Sequence, residues 1–226
     1  MNSLTQDRTM KNNSPIRSIG FFLFTLLLTG IMIAACSLLE SGPYEETFTE
    51  AGSWGIGHSS DVEGQVQNEV YEMYVKSNHG LYMASAGENF ADGLYELEAT
   101  QIAGPLNNGY GLLFRVDGTT DTFYVFEVSG DGYIWIGYCE NLCEDDEVAL
   151  VGGDWFPSPA VETGLHATNQ LRVVADGPKM TFFVNGVEVG RTSDNRLTEG
   201  DIAIMVEALG EGDIRVAFDN FKFTPN

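Results

Sequence analysis

The groups of this 226-residue chain that could do chemistry are 33 aspartates and glutamates, 3 cysteines and 3 histidines, set against 11 lysines and arginines. Cys139 and Cys143 stand C-x₃-C in Tyr138-Cys-Glu-Asn-Leu-Cys-Glu. In an oxidising compartment such a pair closes a small loop as a disulfide. A zinc site would need two further soft ligands, and His58, His79 and His166 are scattered without ligand spacing. Two glutamates alternate in Glu96-Leu-Glu98-Ala-Thr-Gln101. On a strand that spacing puts both carboxylates on one sheet face. Retaining glycoside hydrolysis needs two carboxyl groups about 5 Å apart, one as nucleophile and one as acid/base. Gln101 follows at the position where such an acid/base would stand, and an amide has no useful proton to give. Glu96 and Glu98 therefore read as the solvated face of a polar strand, and no catalytic residue is assigned. The acidic run Glu140, Glu144, Asp145, Asp146 and Glu147 reads as a solvated loop.

The third cysteine has a different context. Arg8, Lys11 and Arg17 precede an apolar run from Ile19 to Ala35, which ends Ile33-Ala34-Ala35-Cys36 before the chain turns polar at Ser37 and Glu40. A basic segment, an apolar segment and small residues before a cleavage point make a secretory signal. Cysteine directly after Ala-Ala resembles the bacterial lipobox, in which that cysteine receives a lipid and becomes the mature N-terminus; Ile33 stands where the pattern prefers Leu. The expected organisation is a signal peptide over 1–35, a lipid-anchored tether over 36–43 lipidated at Cys36, and one folded domain over 44–226. An uncleaved N-terminal membrane anchor is the other reading. Both place the folded part outside the cytoplasm, in the cell envelope, and Met10 is an alternative start. Removing 1–35 leaves Lys+Arg 8 against Asp+Glu 32, a net charge of −24 over 191 residues. That surface excludes nucleic acid as a partner, because phosphate binding needs basic groups. It also excludes docking on anionic lipid, so membrane contact is through the N-terminal lipid only.

These residues must be positioned by strands. From Tyr44 on, short β-like runs alternate with turn signals: Asp117-Gly118, Asp131-Gly132, Asp176-Gly177 and Asn185-Gly186 supply residues that tolerate positive φ. No window holds a 3.6-residue period with caps. Thirteen strands are predicted: 44–49, 69–76, 81–86, 93–102, 109–116, 122–128, 133–139, 148–151, 169–175, 180–184, 187–192, 201–209 and 213–224. Alternation sets Tyr110, Leu112 and Phe114 against Leu113 and Arg115, and Tyr124, Phe126 and Val128 against Phe123, Val125 and Glu127. It likewise sets Ile134 and Ile136 against Tyr133 and Trp135. A dozen antiparallel strands with one apolar face each predict an all-β, two-sheet antiparallel β-sandwich.

The order of the pieces carries a resemblance. Phe48 and Trp54 come early. Gly111-Leu-Leu-Phe-Arg115, Phe123-Tyr-Val-Phe126 and Ser129-Gly-Asp-Gly-Tyr133 follow, then Asn169-Gln-Leu-Arg-Val173, Phe182-Phe-Val-Asn-Gly186, Gly200-Asp-Ile-Ala-Ile204 and Val216-Ala-Phe-Asp-Asn-Phe221. Together they resemble the concanavalin A-like (laminin G/lectin-like) jelly rolls, and among them the 3-keto-disaccharide hydrolase group, also known as domain of unknown function 1080. The resemblance implies a sandwich with one concave sheet on which carbohydrate binds. The E-x-D-x-x-E strand of glycoside hydrolase family 16 is matched best by Glu96 to Gln101, without its acid/base.

The concave face would then carry Arg115, Glu127, Tyr133 and Trp135, with Trp155 of the loop Gly152-Gly-Asp-Trp-Phe-Pro157 walling one end. Aromatic faces stack on sugar C–H surfaces, and Arg with Glu hydrogen-bonds hydroxyls. The competing reading makes Trp135 a packing residue and Arg115–Glu127 a plain cross-strand ion pair. The resemblance also implies that Asp219, in Phe218-Asp-Asn-Phe221, helps hold a structural calcium, with Glu46 as neighbour; a strand-end aspartate is the alternative. The expected function is a surface-anchored lipoprotein with a non-catalytic module that binds polysaccharide or oligosaccharide. A glycoside hydrolase or lyase of the same fold, and a structural, protein-binding envelope lipoprotein, are the alternatives.

Overall fold

The computed structural model describes residues 42–226, apart from 51, 56, 144 and 145. Cys36 and the leader lie outside the described residues. In chain order the strands are β1 Tyr44–Glu46, β2 Gly57–His58, β3 Val62–Gln67, β4 Val70–Val75, β5 His79–Ser85, β6 Gly93–Ala103, β7 Gly109–Asp117 and β8 Thr122–Ser129. They continue with β9 Tyr133–Glu140, β10 Asp146–Ala149, β11 Phe156–Pro157, β12 Thr168–Asp176, β13 Lys179–Val184, β14 Val187–Ser193, β15 Asp201–Leu209 and β16 Ile214–Pro225. All pair antiparallel. One sheet of nine strands runs β14-β13-β12-β6-β16-β4-β3-β2, with β1 also on β16. The other, of seven, runs β10-β9-β8-β7-β15-β5, with β11 also on β9. The fold is the predicted all-β sandwich.

All thirteen predicted strands are present within a few residues. Three were not foreseen: β2, β3 and β11. Strand β3 reads Val-Glu-Gly-Gln-Val-Gln, too polar to signal itself. It pairs because Tyr71 of β4 lies across Gly64, where a Cβ would stand 2.2 Å from the phenol oxygen. The turn at Asp117-Gly118 also differs from expectation: positive φ falls on Asp121 (51°) instead. The Asp117 carboxylate accepts the Thr119 N–H at 2.8 Å, which closes the loop without a glycine twist.

The core lies between the sheets and is strongly aromatic. Phe90, Tyr95, Phe114, Phe221 and Phe223 are buried there. The Phe223 ring lies tilted against Phe90 at 4.8 Å and Tyr95 at 4.9 Å, centroid to centroid. Each such ring contributes roughly 2 kcal/mol by burial. Phe48 and Trp54 close one end, and the indole N–H of Trp54 donates to the Tyr44 hydroxyl at 3.2 Å.

Candidate functional site

The centre of the seven-stranded sheet is buried on both faces. Strands β7 and β8 have scarcely an accessible residue. Alternate positions point away from the inter-sheet core, and there Leu113, Phe123, Val125, Trp135, Ala203 and Met205 form a second apolar cluster. The register lays this outer face out in rows. One runs Trp135 (β9), Glu127 (β8), Gly111 (β7), Met205 (β15) and Met83 (β5). The next runs Tyr133, Ser129, Gly109, Glu207 and Leu81. Two glutamates thus face outward on either side of a strand that offers only glycines at these two levels.

At Gly109 the space of the missing side chain is filled by its neighbours. A Cβ on Gly109 would stand 1.8 Å from Glu127 Oε2 and 3.3 Å from Trp155 Cη2. The Glu127 carboxyl and the Trp155 ring edge therefore converge on the bare backbone of Gly109. Directly paired positions hold their Cβ atoms about 5 Å apart, so Glu207, paired with Gly109, adjoins the same spot. A Cβ on Gly137 would likewise stand 2.1 Å from Trp135 Cη2, so that indole lies flat along β9.

Electrostatics follow from this placement. Glu127 is 2 % exposed and its Oε2 has no hydrogen-bond partner among the described residues. Burial, then the charges of Glu207 and Glu147, push its carboxyl well above the ordinary range. Burial first, and then the Glu147 charge, raises Glu207 to about 7. Glu147 lies on β10, with three strands between it and β15, yet its charge reaches both. This outer face is the one that corresponds to the expected concave face.

At one end of this face is a cavity of about 210 Å³ lined by Asn107, Ser129, Asp131, Tyr133, Trp155 and Leu209. Ser129 Oγ donates to the Asp131 carboxylate and accepts the Tyr133 N–H at 3.0 Å, which fixes the rim. Tyr133 is 40 % exposed.

The expected site residues are therefore only partly assembled. Glu127, Tyr133, Trp135 and Trp155 share the concave face. Trp135 is 3 % exposed and packed into the apolar cluster, so it forms floor and not an open stacking surface. Arg115 corrects the alternation. A β-bulge shifts the register between Phe114 and Asp117, and Arg115 takes φ 52°. Its guanidinium turns inward, fully buried, and donates to Asp92 Oδ1 at 2.7 Å and to the carbonyls of Leu197 and Gly177, each at 3.0 Å. It makes no pair with Glu127. Sequence reasoning missed Glu207 as a site residue. Alternation along β15 puts it opposite Val206, on the outer face, but its nearness to Glu127 depends on β15 pairing β7.

Cys139 and Cys143 are joined by a disulfide, as expected from their spacing. Asp219 and Glu46 lie on paired strands, β16 and β1. Glu46 Oε1 accepts the Phe48 N–H at 2.7 Å, and Asp219 accepts the Asn220 N–H at 2.7 Å. Burial raises the Asp219 carboxyl, assisted by Glu98 and Glu69. Among the described residues no three His, Cys, Asp or Glu side chains gather in a metal-binding group. Glu96 and Glu98 lie on β6 in the other sheet; Glu98 accepts from Asn220 Nδ2 at 3.0 Å, while Gln101 is buried and donates to the Pro105 carbonyl at 2.6 Å.

Two packed antiparallel sheets in this order form a jelly-roll β-sandwich, the fold of concanavalin A-like solved structures. Solved structures of that fold superpose on the chain. They include the carbohydrate binding module CBM66 from Bacillus subtilis, with a TM-score of 0.57 and 16 % identity over 76 % of this chain and 96 % of that one. A prokaryotic β-1,3-1,4-glucanase (lichenase) from a mouse hindgut metagenome gives 0.56 and 13 %, over 82 % and 100 %. The Crh5 transglycosylase in complex with NAG gives 0.61 and 10 %, over 82 % and 84 %. No protein-family model matches the chain, and no curated protein does.

Proposed function

We propose that this chain is a carbohydrate-binding module whose ligand enters at the Tyr133–Trp155 end of the concave face. The observation that carries the reading is the 210 Å³ cavity, which sets two aromatic rings against Ser129, Asp131 and Asn107. Rings that cover a sugar's C–H surface beside a few fixed polar groups are the geometry a saccharide site needs. Sugar-binding and sugar-processing proteins of the same fold add support. Titrating oligosaccharides by calorimetry should give saturable heats that Trp155→Ala weakens about tenfold or more, with Tyr133→Ala smaller. No saturable heat from a broad panel would remove the reading.

The carboxyl pair favours a second reading, a glycosidase. A protonated Glu127 could protonate a leaving oxygen while Glu207 serves as the partner carboxylate. Reducing-sugar release from a polysaccharide, abolished in Glu127→Gln and Glu207→Gln, would establish it.

The leader supports export with a lipid on Cys36, facing the extracytoplasmic side. Radiolabelled palmitate should enter the chain and be lost in Cys36→Ala.

A further inference from the structure

The concave face is unbalanced in charge. Its outward positions hold Glu127, Glu207 and Glu147, and Asp131 lines the adjoining cavity. In all seven strands of the sheet the one lysine or arginine is Arg115, and it is turned inside and paired with Asp92. His79, opposite Leu209 at the end of β5, is the one other basic strand residue. The nine-stranded sheet answers its carboxylates with cations: Lys76 with Glu63, Arg215 with Glu72 and Lys222 with Glu45. The concave carboxyls have no such answer. Glu127 Oε2 is enclosed without a donor, beneath the Trp155 ring that walls the cavity. A buried acceptor without a donor is destabilising, and a ligand's N–H groups would relieve it.

We propose, building on the carbohydrate reading, that the ligand is a cationic sugar: a 2-amino-2-deoxy hexose unit with a free ammonium, as in a deacetylated glucosamine oligomer. Its ring lies against Trp155 and Tyr133 in the cavity, and its ammonium is directed at the Glu207 and Glu127 carboxyls that adjoin Gly109 beside that cavity. An ammonium brings three N–H donors, and aromatic walls favour it further through cation–π attraction. A bare metal ion fits less well. Among the described residues no three ligating side chains converge, and half of the wall is apolar. An anionic sugar would meet four carboxyl groups and no paired cation.

Binding is then linked to protons. The ammonium keeps its own proton, and the carboxyl it meets gives its proton to solvent. Affinity should pass through a maximum near neutral pH, falling below it as Glu207 takes up its proton and above it as the weakly basic sugar amine loses its own. Glu147, Asp131, Tyr133 and His79 are the other titratable groups round the face.

The test uses the full chain, a fully deacetylated glucosamine oligomer, the N-acetylated oligomer of equal length and a galacturonate oligomer. Calorimetry is run in two buffers of different ionisation enthalpy, at about 0.15 M and again at about 0.5 M salt to screen diffuse attraction. The deacetylated oligomer should bind about tenfold or more tightly than the acetylated one, with proton release, and the galacturonate should not bind. The double substitution of Glu127→Gln and Glu207→Gln should erase the preference, and Glu45→Gln on the opposite sheet should leave it intact. If the double variant does not fold, Glu147→Gln, on the accessible edge strand, should still reduce the preference. Equal or tighter binding of the acetylated oligomer, or a preference that survives the double variant, overturns the amino-sugar assignment and leaves the carbohydrate reading standing. Absence of binding by every oligosaccharide removes both.

Discussion

The outer faces of the two sheets obey the same two-residue alternation and solve opposite problems. On the nine-stranded sheet, carboxylates meet lysines and arginines across neighbouring strands, and water reaches both. On the seven-stranded sheet, carboxyls lie among Trp135, Met205 and Val125 with no cation beside them, and two of them hold their protons far above the ordinary range. The first face is arranged for solubility. The second carries polar groups at a cost in stability, which supports the reading of this face as a site.

The contrast can be broken most severely at Arg115, the cation withdrawn from the concave face. Arg115→Met leaves Asp92 and two carbonyls without their donor and should cost about 3 kcal/mol, read from the shift of a urea unfolding midpoint. Next comes pH. An unfolded glutamate titrates near 4.5, but Glu207 keeps its proton to about 7 in the folded chain. The folded state therefore binds more protons between these values. The stability this provides is complete below about pH 4.5 and is lost as pH rises through 7, on the order of 2–3 kcal/mol. Glu207→Gln should flatten that slope in parallel denaturation curves. The disulfide beside the apolar cluster closes a loop short enough that Cys139→Ser with Cys143→Ser should cost about 2 kcal/mol by differential scanning calorimetry. The smallest effect belongs to the paired face: Lys222→Gln should leave the melting temperature unchanged within error, because its partner Glu45 is solvated.

The sandwich itself was legible because burial on one face writes a period of two into the chain, and strands such as β12 show it along their whole length. The same period placed Glu127, Tyr133 and Trp135 on the side away from the core. It failed at Arg115, because a bulge adds a residue that only the partner strand's register reveals. It could not distinguish an open stacking tryptophan from one lying on Gly137, since that depends on a side-chain direction and not on a face. The Glu127–Glu207 pair was illegible for a topological reason. Their strands are joined to opposite sides of β7, and β15 arrives there from more than seventy residues further along the chain.

The bare backbone of Gly109 also constrains how this sequence could have changed over time. The Glu127 carboxyl occupies the volume that any side chain at 109 would claim, and Trp155 closes the space above it. Residues 109 and 127 are thus one heritable unit. A lineage that lost the glutamate could afterwards fill position 109, but a side chain gained first at 109 would expel the carboxyl. The two positions are thus sterically coupled.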